Sequence, residues 1–220
     1  MITGLRRPEY NRRAFAVKDL CFTLVGLFIL AVLTIPMTFE HKKAAVRINC
    51  VNNLKQVALG FRIWSGDNDD RYPMAVFTND QGGPLYASTD SMFRYFQVMS
   101  NEFPTPKILI CPQDWERNPA TNFGTGFSSQ NTSYFIGLEA VESNTNMFLS
   151  GDRSLSNGNL LSNGTMLLSS NQPAFWWPTK VHDGHGNVAL TDGSVAQLDN
   201  PRLSAALAHT GVGVTYLVFP

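Results

Sequence analysis

Four polar residues late in the chain, His182, Asp183, His185 and Asp192, are of the types that hold a metal ion. Imidazole and carboxylate ligands at short spacing suit zinc or a harder divalent ion. A metal-dependent hydrolase would build its centre from His182, His185 and Asp192. Their setting points elsewhere. Asp192 opens an Asp-Gly dipeptide between two short alternating runs, Asn187–Thr191 and Ser194–Leu198, which predicts a hairpin closed by a two-residue type I′ turn. His185 stands between Gly184 and Gly186 in a flexible stretch. The role expected of His182, Asp192 and Gly193 is structural, with His182 bonding backbone to pin the loop ahead of the hairpin. Asp67, Asp69 and Asp70 have the opening spacing of a calcium loop but lack its later ligands and bidentate Glu, so a solvated loop is expected there. No cofactor is therefore expected, with calcium at the three aspartates as the alternative. No phosphate loop, HExxH pattern or Ser/His/Asp arrangement supports an enzyme.

Three cysteines are too few for a disulfide scaffold and do not form a zinc signature. Cys50 and Cys111 could be joined if both lie in an oxidising compartment and their Cα atoms come within about 7 Å. Trp176-Trp177-Pro178, just before Lys180, would serve either as a ledge for sugars or a protein partner or as core under the His182 loop.

The elements that must position these residues begin with a charge split. The 220 residues are 44% apolar and only 15% charged, with a formal net charge of zero. Arg6, Arg7, Arg12, Arg13 and Lys18 against Glu9 and Asp19 leave residues 1–19 at +3. Five bases against Glu40 leave residues 40–65 at +4, and residues 66–220 carry seven bases and fourteen acids, a net −7. So acidic a body would repel phosphates, which argues against nucleic acid as a partner. Residues 20–39 contain no charge and are long enough, at 1.5 Å per residue, to cross a hydrocarbon core of about 30 Å. The preceding bases place residues 1–19 in the cytoplasm and the acidic body outside.

Beyond Pro36, which should kink rather than end the helix, Cys50, Leu54, Val57, Phe61 and Trp64 recur at helical spacing. Residues 40–65 thus read as an amphipathic continuation ending near Ser65-Gly66. Residues 66–220 form the outer domain. Its first half is loop-rich around Pro73, Gly82-Gly83-Pro84, Pro104 and Pro106, with a short helix over Ser91–Met99. Strands are predicted over Asn131–Leu138, Thr145–Ser150 and Val212–Phe219, with a helix over Arg202–Ala208. One long helix packed on a small antiparallel sheet gives an α+β fold.

The leader, Phe22-Thr23-Leu24-Val25 and the helix that continues out of the membrane resemble a type IV prepilin or a type II secretion pseudopilin. Asn49–Gln56, Lys107–Pro112, Gly151-Asp152-Arg153, and His182 followed after nine residues by Asp192-Gly193 are similar to the bacterial prepilin-like group carrying the H-x9-DG processing-associated motif. The resemblance runs from residue 22 to about 199. It implies the pilin-like version of the α+β fold, leader cleavage between Cys21 and Phe22 by a prepilin peptidase, and an inner-membrane subunit with a periplasmic domain. Its implied partners are other pilin-like subunits and an assembly platform. Two departures matter: Cys21 stands where the leader ordinarily ends in Gly, and Gly26 stands where the fifth mature residue is ordinarily Glu. They suggest a specialised subunit, or an uncleaved membrane-tethered module that binds envelope glycans or exported proteins. Asp152-Arg153 is expected to form an internal ion pair, with an Arg contact to a neighbouring subunit as the alternative.

Overall fold

The computed structural model describes residues 17–79, 83–169, 171–177 and 181–220, with the side chains of 35–44 outside that description. The charges of residues 1–16, Gly82, and Pro178 and Lys180 of the aromatic ledge lie outside the described residues. The chain divides into two compact units, one ending at Ala44 and the other running from Ala45 to Pro220.

Helix α1 (Val17–Gly66) is one unbroken element that passes through Pro36. In the first unit, Val17–Thr34 has a mean hydropathy of 2.0 and no buried residue, so it is long and apolar enough to cross a membrane. Its few hydroxyls bond back to their own helix: Thr23 Oγ1 donates to the Leu20 carbonyl at 2.8 Å and Thr34 Oγ1 to that of Leu30 at 2.9 Å. That leaves no free hydroxyl proton on Val17–Thr34.

The second unit is α+β. A six-stranded sheet runs in the order β4-β8-β1-β2-β6-β7, and every pairing in it is antiparallel. The strands are β1 (Tyr134–Gly137), β2 (Phe148–Asp152), β4 (Thr165–Ser169), β6 (His185–Leu190), β7 (Val195–Asp199) and β8 (Val214–Val218); β3 (Leu155–Ser156) and β5 (Phe175–Trp176) form a separate ribbon. The short helices α2 (Pro73–Val76) and α3 (Phe93–Val98) precede the sheet, and α4 (Asn200–His209) lies between β7 and β8.

The helical stripe does what its spacing predicts. Cys50, Leu54, Val57 and Phe61 are fully buried, Trp64 is half-buried, and Lys55 and Arg62 stay in solvent. Strand alternation then sorts the sheet onto two cores. Ile136, Leu149, Ala189 and Val218 share a core with α1 and α3, whereas Phe135, Phe148, Val188 and Leu217 share one with Trp176 and with Leu203 and Leu207 of α4. The body therefore has three layers rather than a sheet backed by one helix.

Several boundaries shift for local reasons. The strand predicted from Asn131 starts at Tyr134, because Asn131 folds back in a 3₁₀ turn where its Oδ1 accepts the Ser128 N–H at 2.9 Å. Helix α4 starts two residues early, since Asp199 caps it by accepting the Arg202 N–H at 2.9 Å and Pro201 fits its first turn. Strand β4, an edge strand whose burial does not alternate, carries no pattern by which the sequence signals it. The β6–β7 hairpin is where expected, but its turn is not type I′. Asp192 is absent from the residues with positive φ, Gly193 alone has φ +86°, and its N–H bonds to the Leu190 carbonyl at 2.9 Å. That is the three-residue Thr191-Asp192-Gly193 loop, in which Gly takes the left-handed position after a type I turn. Successive positive φ values occur instead at Asp69 (57°) and Asp70 (55°) after α1, and at Asp183 (51°) and Gly184 (79°) just ahead of β6.

Gly137 sets how closely β1 and β2 approach. A Cβ there would stand 1.9 Å from the Phe148 backbone oxygen. Gly137→Ala is expected to cost about 1–3 kcal/mol through forced backbone displacement. Chemical denaturation of the full chain in detergent checks this; an unchanged midpoint would contradict it.

Candidate functional site

Asp152 ends β2 and faces across the sheet to Asn187 of β6. Its Oδ2 accepts the Asn187 backbone N–H at 2.7 Å and the Asn187 side-chain amide at 2.8 Å. The Asp183-Gly184 turn swings His182 into the same place. His182 Nε2 lies 3.3 Å from Asp152 Oδ2, 3.1 Å from Asn187 Nδ2 and 3.4 Å from Cys111 Sγ. Cys111 is in turn joined to Cys50 of α1 by a disulfide with a Cα–Cα separation of 4.9 Å. Beside it, Asn53 Nδ2 donates to the Ile110 carbonyl at 2.9 Å, so α1 and the 107–111 segment are tied twice.

This cluster is buried and densely polar. Cys50, Cys111, Asp152, His182 and Asn187 are all at most 1% exposed. His182 Nδ1, Asp152 Oδ1, Asn187 Oδ1 and the Tyr134 hydroxyl have no hydrogen-bond partner among the described residues. Burial pushes the Tyr134 phenol well above its ordinary pKa, and the charges of Asp152 and Asp114 push it further the same way.

Arg153, next along the chain, lies in the turn just past β2 and pairs elsewhere. Its guanidinium forks onto Asp114, Nε to Oδ2 at 2.7 Å and Nη2 to Oδ1 at 2.8 Å, and Nη2 also reaches Glu116. Burial alone would lower its pKa, but the hydrogen bonds to Asp114 and Glu116 outweigh that and raise it. The Asp152-Arg153 dipeptide thus supplies two separate pairings, and the internal one formed by Arg153 is with residues 114 and 116. Arg117 completes the region, with Nη2 donating to the Pro220 carbonyl at 2.7 Å.

The residues singled out in the sequence are dispersed. His182 is buried and bonds side chains rather than the backbone it was expected to hold, because the turn directs its ring inward. His185 is exposed at the start of β6. Asp192 lies at the other end of β6, roughly 20 Å away for six residues at about 3.4 Å each. There Asp192 Oδ1 accepts the Ser194 N–H at 2.8 Å, and its carbonyl accepts Arg62 Nη1 of α1 at 2.8 Å. The H-x9-DG residues thus fasten opposite ends of one strand. Asp67, Asp69 and Asp70 are exposed around the end of α1, and Asp69 pairs with Arg71 at 3.6 Å. Among the described residues, three potential metal ligands come within 4.8 Å of one another only at Cys50, Cys111 and His182. Cys21 is a free, exposed thiol on α1, and Phe22 is also exposed.

The tryptophans divide. Trp176 is core, packed in the layer with α4. Trp177 is 42% exposed, stacks edge-on against Phe175, and lines a cleft of about 340 Å³ with Arg153, Leu155, Leu160 and Met166.

Asp114, Asn187 and the convergence of Asp152 on His182 were not visible in the sequence. Register across β2 and β6 makes that cluster, and no linear spacing encodes it. Comparison of this chain with family models, curated proteins and solved structures finds no match.

Proposed function

We propose that this chain is a pilin-like structural or accessory subunit of a type II secretion pseudopilus or related filament, without enzymatic activity. The observation that carries the reading is helix α1. A single 50-residue helix is apolar and exposed over Val17–Thr34, then buries Cys50, Leu54, Val57 and Phe61 in an α+β body. A subunit stored in the bilayer and extracted into a bundle needs such a helix, because contacts between apolar helices then replace contacts with lipid. The membrane is the inner membrane, with the body in the periplasm. The partners are other copies or pilin-like relatives of the subunit, an assembly platform and a prepilin peptidase acting between Cys21 and Phe22.

The tethered-module alternative draws on Trp177 and its cleft, where a half-exposed aromatic offers a surface to a glycan or exported protein. It also draws on Cys21 and Gly26, which depart from the residues a processed subunit ordinarily carries.

The test is the N-terminus and intact mass of the protein recovered from its native membrane. A chain beginning at Phe22, with a methylated amine, is expected for the subunit. A chain that retains the residues before Cys21 would overturn processing and favour the tethered module.

A further inference from the structure

The buried cluster of Cys50, Cys111, His182 and Asp152 stands apart from the filament reading. We propose that the thiol form of this chain binds one zinc ion through Cys50 Sγ, Cys111 Sγ and His182 Nε2, which lie within 4.8 Å of one another, and that Asp152, outside that set but 3.3 Å from His182 Nε2 through Oδ2, moves in as the fourth ligand. Tetrahedral zinc, with bonds of about 2.3 Å to sulfur and about 2.0–2.1 Å to nitrogen and oxygen, has S···N edges of roughly 3.5 Å and an N···O edge of roughly 3.3 Å. His182 Nε2 stands 3.4 Å from Cys111 Sγ and 3.3 Å from Asp152 Oδ2, so two edges of that tetrahedron are already in place. The S···S edge must open to roughly 3.8 Å, which the thiol form permits and the disulfide forbids.

Charge and surroundings favour the same ion. Asp152 is a buried carboxylate whose only ion-pair partner among the described residues is His182, and its Oδ1 has no hydrogen bond. A divalent cation supplies the compensation that a buried carboxylate requires. Asn187 donates twice to Asp152 Oδ2 and so holds that oxygen in position. Two sulfurs and an imidazole select zinc over calcium or magnesium. Cys111 also borders a cleft of about 450 Å³ with Asn53, Pro112 and Trp115, which gives an ion a route in. On binding, the two thiols release two protons to solvent and no electron moves. The disulfide form has neither thiolate to offer, so metal and disulfide are alternative states of one donor set.

The experiment uses the full chain in detergent carrying Cys21→Ser, so that the exposed third thiol contributes nothing. The protein is reduced with a phosphine, the reductant is removed without oxygen, and Zn²⁺ or Co²⁺ is added. The reduced chain is expected to retain one equivalent of zinc after desalting, and the disulfide form none. Cobalt is expected to give the intense visible bands of a tetrahedral site together with thiolate charge transfer. His182→Gln, with its fold checked by circular dichroism in the disulfide form, is expected to weaken zinc binding at least about tenfold. Equal zinc retention by the reduced and disulfide forms would overturn the proposal. So would a weak octahedral cobalt spectrum, or unchanged affinity in His182→Gln.

Discussion

Arg153→Ala is expected to lower the unfolding free energy of the outer body by about 3–5 kcal/mol. Arg153 and Asp114 have side-chain exposures of only 9% and 1%, and their two parallel hydrogen bonds are the geometry in which an ion pair offsets its desolvation. Truncating the cation leaves Asp114 buried without its two direct hydrogen bonds, with only the Arg117 charge nearby to offset it. Glu116, with 41% of its side chain exposed, adds little. In a body of this size the loss corresponds to a Tm fall of about 10 °C. Near-UV circular dichroism of the full chain in detergent reads it. Adding Asp114→Asn to Arg153→Ala should recover part of the loss, because it removes the stranded charge. A Tm for Arg153→Ala within about 2 °C of the parent would show that the pair contributes nothing net.

Breaking the Cys50–Cys111 disulfide is expected to cost a similar amount. The bond closes a loop across a sequence separation of 61 residues, and chain-entropy reasoning gives about 4 kcal/mol for a loop of that length. The residues it joins are both fully buried, one on α1 and one in the segment bordering the sheet. Denaturant titrations of the disulfide form, the reduced form with chelator, and Cys50→Ser with Cys111→Ser measure the loss. The last two should agree with each other and fall well below the first. Equal midpoints in all three would mean that the tether between Asn53 and Ile110, with the apolar stripe of α1, holds this junction unaided. Adding zinc to the reduced form separates this expectation from the metal proposal, since only the latter predicts recovery.

What local rules decide was legible in the residues. A twenty-residue stretch without charge, an apolar stripe at helical spacing and an Asp-Gly dipeptide between alternating runs each depend on neighbours within about one turn or one hairpin. They gave the helix, its buried face and the β6–β7 hairpin. The detail of that hairpin turn was lost because Asp-Gly serves both two-residue and three-residue turns, and only φ at Asp192 distinguishes them.

Tertiary structure decided the rest, and the reason is register. Asp152 meets Asn187 because β2 and β6 pair with Gly151 opposite Val188, and a shift of one residue would turn either side chain to the other face. His182 joins them through a turn whose two positive φ values, at Asp183 and Gly184, aim its ring inward. Asp114 finds Arg153 across 39 residues of chain. The second core around Trp176 and α4 likewise depends on which face each strand residue takes. The sequence by itself determined that a membrane-length helix leads into an α+β body. Only the tertiary fold, through strand register, the Asp183-Gly184 turn and the Cys50–Cys111 link, determined that four dispersed residues, Cys50, Cys111, Asp152 and His182, share one buried site.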